Sequence, residues 1–146
     1  AIYEIGLYSK WVPFCSTSTL LKQISHVEML AALLMSTPFG ISREVVVHAY
    51  GANCLQEKNS IVIITRSVDS YDGVEIPLLS NSIFNDRCDV KSMYAVTTLL
   101  SPTTAKFACV LKLDVKFRVH QMIMNWFIKQ LAGVVLPLLR KQAHYI

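Results

Sequence analysis

Catalytic and metal-binding signatures are absent from this sequence. There is no G-x-S-x-G elbow to expose a nucleophile, no glycine-rich phosphate loop and no C-x-x-C pair. Cys15, Cys54, Cys88 and Cys109 stand far apart, and His26, His48, His120 and His144 are scattered, so no zinc spacing and no disulfide framework is indicated. No metal and no cofactor is expected, and nothing positive supports an enzyme. Charge is also scarce. Only 16% of residues are charged, for a net +4, and the Lys and Arg residues do not gather into a run that would track phosphates, which argues against nucleic acid. The opening AIYEIGLYSKW has no Met, basic n-region or long apolar run, so no signal peptide is expected and the chain reads as a fragment or processed product. Free-standing cysteines fit a reducing, cytoplasmic location.

Apolar residues are abundant. They make up 53% of the chain, and the mean hydropathy is +0.41. One domain of 146 residues buries about two-thirds of its unfolded surface, and the excess apolar content suits either an ordinary core or a cavity that must be lined.

Along the chain, Ile2 to Trp11 predicts a short helix ending before Pro13, since Val12 is disfavoured as helix there. Ser18 to Leu34 has a mixed period, predicting a helical turn that gives way to a strand near His26. REVVVHAYG and SIVIITRSV are β-branched runs joined by the polar GANCLQEKN, which predicts an antiparallel hairpin with a long connection. After a loop-rich stretch, DSYDGVEIPLLSNSIFNDRCD, the runs MYAVTTLLS and AKFACVLKLDV flank the turn PTT and predict a second hairpin.

The last segment, Val119 to Lys141, repeats apolar residues every three or four positions, including Met122, Ile123, Trp126, Phe127 and Leu131. This is the stripe of a long amphipathic helix. A membrane-spanning reading would place Lys129 near mid-bilayer at a cost of roughly 2.5–3.5 kcal/mol, with Asn125 and Gln130 adding more, so no transmembrane segment is expected. Pro137 removes a helical hydrogen bond to Gly133 and predicts a bend there. The fold class is therefore α+β, an antiparallel sheet of at least four strands with a long C-terminal helix.

These elements carry a resemblance. Trp11-Val12-Pro13, SREVVVHAYG from Ser42, IITRSVD from Ile63, LKLDVKF from Leu111 and NWFIKQLAG from Asn125 follow one another as in START domains, the steroidogenic acute regulatory protein related lipid-transfer family. The resemblance covers nearly all of residues 1–146 and implies a helix-grip fold, a curved antiparallel sheet wrapped around the C-terminal helix. It also implies a tunnel for one phospholipid, sterol or ceramide, moved between membranes without chemical change and with transient peripheral membrane contact. Two departures stand out. The helix and strands that open a START domain before Trp-x-Pro are missing, and Ala49 occupies the place of an Arg that faces the cavity in some members.

The candidate lipid-binding residues each carry a plainer alternative. Alternation puts Val45, Val47 and Ala49 on one face of their strand, lining either a cavity or an ordinary core. Arg66 could anchor a head group through its fork of donors, or pair with an acid. Asp114 could be a cavity partner, or orient the start of the helix. Met122, Ile123, Trp126, Phe127 and Leu131 would face the sheet as core or as ligand contacts, and truncating Trp126 would then weaken the fold. The loop with Cys54, Leu55 and Lys58 is either a membrane-touching tip or a tight connection. Two further functional readings remain, a regulatory or protein-interaction module with a plugged cavity, and a helix-grip enzyme.

Overall fold

The computed structural model describes residues 4–36, 42–76, 87–114, 116 and 120–143, with Trp11, Phe127, Leu131, Gln142 and Ala143 described by their backbone only. A 3-10 turn, Ile5–Leu7, leads into the one-turn helix α1, Tyr8–Trp11. Strands β1, Cys15–Ser25, and β2, Glu28–Ser36, form a hairpin around His26 and Val27. The division near His26 is as expected, but the first half is strand throughout. Leu20, Leu21 and Ile24 mimic a helical spacing, yet their backbone is committed to pairing with β2, and non-local pairing outweighs so short a local signal.

Strand β3, Ser42–Cys54, is longer than its β-branched run, because Ala52, Asn53 and Cys54 still pair with Val62, Ile61 and Ser60. The expected long loop thus shrinks to α2, Leu55–Lys58, closed by Asn59 in the left-handed region at φ +49° before β4, Ser60–Ser67. A small hairpin follows, β5, Ser70–Tyr71, and β6, Val74–Glu75, turning through Asp72 and Gly73, both at positive φ. Strands β7, Asp89–Ser101, and β8, Thr104–Asp114, form the second expected hairpin.

The main sheet is wholly antiparallel with six strands in the order β1-β2-β3-β4-β7-β8. Helix α3, Gln121–Ala143, closes the described chain and contains Pro137. The ring Nδ1 of His120 accepts the Met122 N–H at 3.3 Å, satisfying one donor of the first turn, and Arg140 and Lys141 complement the dipole at the other end.

The core forms on both sides of β2 and β3. On one side, the inner face, Met29, Ala31, Val45 and Val47 meet Ile5, Cys88 and Val90. On the other, the outer face, Leu30, Ala32 and Val46 are covered by Leu21, Val68, Tyr71 and Ile76. Glu44 is fully buried on this outer side, with its carboxylate 3.5 Å from the Arg87 guanidinium, which also donates to the Ile76 carbonyl. The Cys88 N–H donates to the Glu44 carbonyl at 2.9 Å, fixing the start of β7 against β3.

A buried ion pair is costly to break from one side. Arg87→Met is expected to destabilise the protein by about 3 kcal/mol in urea denaturation, and an unchanged midpoint would mean that Glu44 is held by its other contacts alone.

Candidate ligand-binding site

Residues paired across strands share a face, so register alone draws the two surfaces. One inner-face row runs Met29, Ala49, Thr65, Met93 and Leu111 from β2 to β8, and the next runs through Ile63, Ala95 and Cys109. Val45, Val47 and Ala49 lie on this face, the first two buried and Ala49 half-buried. Near β2 and β3 it is closed by Ile5 and Tyr8. Toward β8 it opens, leaving Phe107 39%, Leu111 50% and Leu113 45% exposed.

Thr65 is the polar side chain of the long inner row, and it is buried. The sequence reading passed over it. Its face follows only from its pairing with Ala49. Beyond Thr65, Ser67 stands at the end of β4, where its hydroxyl accepts the Val90 N–H at 2.9 Å.

Arg66 lies on the other face. It pairs with His48 in the register, and its side chain is exposed. Around it His48, Tyr50, Ser92, Lys91 and Tyr94 border an open groove of about 400 Å³. His48 Nε2 is 2.7 Å from Glu28 Oε1, and Lys91 forms an ion pair with Asp89. The hydrogen bond to Asp89 raises the Lys91 pKa. Asp114 is exposed at the end of β8. Its Oδ1 accepts the Lys116 N–H at 3.0 Å, and its Oδ2 lies 4.0 Å from Lys91 Nζ. The carboxylate thus holds the turn that leaves the sheet, where Lys116 adopts φ +54°. The structure does not bring Arg66 to the face that carries Val45, Val47 and Ala49.

On α3, Met122, Ile123 and Trp126 are 73%, 48% and 53% exposed, so these side chains stand uncovered rather than packed beneath the sheet. The side chains of Phe127 and Leu131 lie outside the described residues. Because Trp126 is exposed, its truncation removes little packing, contrary to the sequence expectation. By length and composition, Gln121–Lys141 is a helix apolar enough to cross a membrane. Among the described residues no group of His, Cys, Asp and Glu side chains could hold a metal.

No family model matches the sequence, and no curated protein matches it. Solved structures do. Human STARD10 superposes with a TM-score of 0.79 over 97% of this chain at 12% identity. The chain has a START-like fold. Human StAR-related lipid transfer protein 5 matches 94% of it at TM-score 0.73 and 15% identity. The STAR-related lipid transfer protein fragment from Xanthomonas axonopodis matches 98% at TM-score 0.72 and 16% identity. The START-like chain spans 55%, 64% and 75% of these three chains respectively. Within this frame the six-stranded sheet and α3 are the two elements of the helix-grip arrangement.

Tyr8, at the closed end of the inner face, has its phenol pKa pushed up to about 12 by burial, with the neighbouring Cys15 adding to it. The unfolded chain ionises Tyr near pH 10, so the folded state alone holds this proton between the two values. Stability from this group is complete below pH 10 and falls by roughly 2–3 kcal/mol by pH 12. Tyr8→Phe is expected to flatten that part of the denaturation-versus-pH curve. An identical alkaline slope in both proteins would show that Tyr8 ionises freely when folded.

Proposed function

We propose that this chain binds one lipid, of the phospholipid, sterol or ceramide class, between the inner face of the sheet and α3, and carries it between membranes. The observation behind this reading is the opening of the inner face at Phe107, Leu111 and Leu113, combined with an uncovered apolar stripe on α3. Two exposed apolar surfaces in a START-like fold are what a single apolar ligand would cover. Each such side chain taken out of water contributes roughly 1.5–3 kcal/mol. The structural neighbours named for lipid transfer support the same reading.

The apolar portion of the lipid lies along the β7–β8 half of the face, with Met122, Ile123, Trp126, Phe127 and Leu131 closing over it. Val45, Val47 and Ala49 form the floor of the closed end. The Thr65 hydroxyl is a polar group of the long inner row and the partner for a head-group oxygen, while Arg66 and Asp114 serve the surface and rim, where they meet lipid during exchange. Exchange takes place during brief peripheral contact with a membrane, in the cytoplasm, by bending of α3 between Gly133 and Pro137 or movement of the Cys54 turn. No bond in the lipid is made or broken.

Native mass spectrometry of the purified chain, followed by organic extraction, is expected to release one lipid per chain. Leu111→Arg and Trp126→Ala replace exposed side chains, so both variants are expected to fold with stability within about 0.5 kcal/mol of the parent. Their transfer of fluorescent lipid between liposomes should fall at least tenfold. An empty parent chain whose melting temperature ignores phospholipids, sterols and ceramides would overturn the proposal and favour a protein-interaction module, since a ligand that binds only the folded state must raise it.

A further inference from the structure

Two turns meet at one end of the sheet. The β3–β4 connection is the single turn α2, whose first N–H, on Leu55, donates to Asn53 Oδ1 at 3.0 Å, and the β7–β8 connection is Pro102 and Thr103. Ser60 pairs with Thr98, and the Leu99 N–H donates to the Asn59 carbonyl at 2.7 Å, so the two turns lie side by side. The Ser101 hydroxyl accepts the Thr103 N–H at 3.3 Å and steadies the second turn.

Turns ordinarily carry polar residues, but this pair presents apolar ones. The register shifts between Leu99 opposite Ala105 and Ser101 opposite Thr104, which leaves Leu100 as the extra residue of a bulge. Bulges re-aim side chains, and Leu100 is 64% exposed, with Leu99 exposed next to it and Leu55 half-buried on the neighbouring turn. Lys58 and Lys106 flank these leucines. Both are exposed and have no ion pair among the described residues, and Glu57 is the one acid of segments 53–61 and 97–107. This exposure belongs to the ends of strands. A further strand beside β8 would cover the flank of that strand, not the tips of two turns.

We infer that these two turns form the surface by which the chain docks on a bilayer that contains anionic lipids. Leu55, Leu99 and Leu100 enter the boundary between head groups and acyl chains, while Lys58 and Lys106 sit at the level of the phosphates. The net charge of +4 draws the chain toward such a surface. The inference rests on the reading that the chain exchanges lipid with membranes, and it adds where the contact is made.

Cosedimentation of the purified chain with vesicles of phosphatidylcholine and phosphatidylserine tests it. Leu100→Asp is expected to lower the partition coefficient by about tenfold or more, whereas Leu20→Asp, at an exposed apolar position on β1, leaves it unchanged. Each Lys near an anionic surface strengthens binding roughly fivefold. Lys58→Gln and Lys106→Gln should each lose that factor on these vesicles and lose nothing on pure phosphatidylcholine. In Leu100→Trp the added indole should be quenched by lipids with brominated acyl chains, beyond the quenching of the parent. Circular dichroism confirms that each variant is folded, and organic extraction shows whether it carries lipid. A parent that carries one lipid yet ignores the vesicles, or equal binding by the parent and Leu100→Asp, overturns the docking surface and leaves lipid binding standing. Equal losses from Leu20→Asp and Leu100→Asp overturn it as well. A parent that carries no lipid but binds vesicles through Leu100 overturns lipid binding and leaves the docking surface standing.

Discussion

The pairing of β2 with β3 is the constraint on which the rest of the molecule depends. It runs unbroken from Glu28 opposite Tyr50 to Ser36 opposite Ser42, and both of its faces are buried. A strand has a side-chain period of two, so a slip of one residue would turn Val45 and Val47 outward and carry Glu44 to the inner face. Ala31 and Ala32, with no exposed surface, leave no room for the larger side chains that such a slip would bring in. With this pair fixed, β4, β7 and β8 extend the sheet in order, and the identity of the inner face is settled across its whole width.

The elements whose residues share one preference were legible in the sequence. β3, β4, β7 and β8 are rich in β-branched and apolar residues and sit beside turn signals, and α3 carries a stripe at helical spacing. β1 was misread at its start because Leu20, Leu21 and Ile24 fit a helix as well as a strand, and only β2 decides between them. The last residues of β3 look like a loop by composition, but the backbone of Asn53 pairs with Ile61 whatever its side chain prefers. The β5–β6 hairpin carries a local signal inside its loop-rich stretch, the Asp72-Gly73 pair that suits a two-residue turn.

The candidate site was legible in part for the same reason. Alternation within a strand groups Val45 with Val47 and Ala49, and Arg66 with Val62 and Ile64. It does not say which group in one strand shares a face with which group in the next. That depends on register, a long-range property, and it places Thr65 beside Ala49 while Arg66 joins His48. Thr65, a buried polar residue of the inner face, is therefore concealed behind a more conspicuous neighbour.

The Ser67 hydroxyl has a consequence for the width of that face. The register between β4 and β7 runs from Ser60 opposite Thr98 to Thr65 opposite Met93, and beyond it the Val90 N–H is held by a side chain instead of a carbonyl. A ladder of main-chain bonds fixes the separation of two strands near 4.8 Å, whereas a hydroxyl on a rotatable bond follows its partner over a wider range. The sheet is thus stitched tightly along most of this seam and loosely at one end, where the two strands can part without leaving a buried donor unbonded.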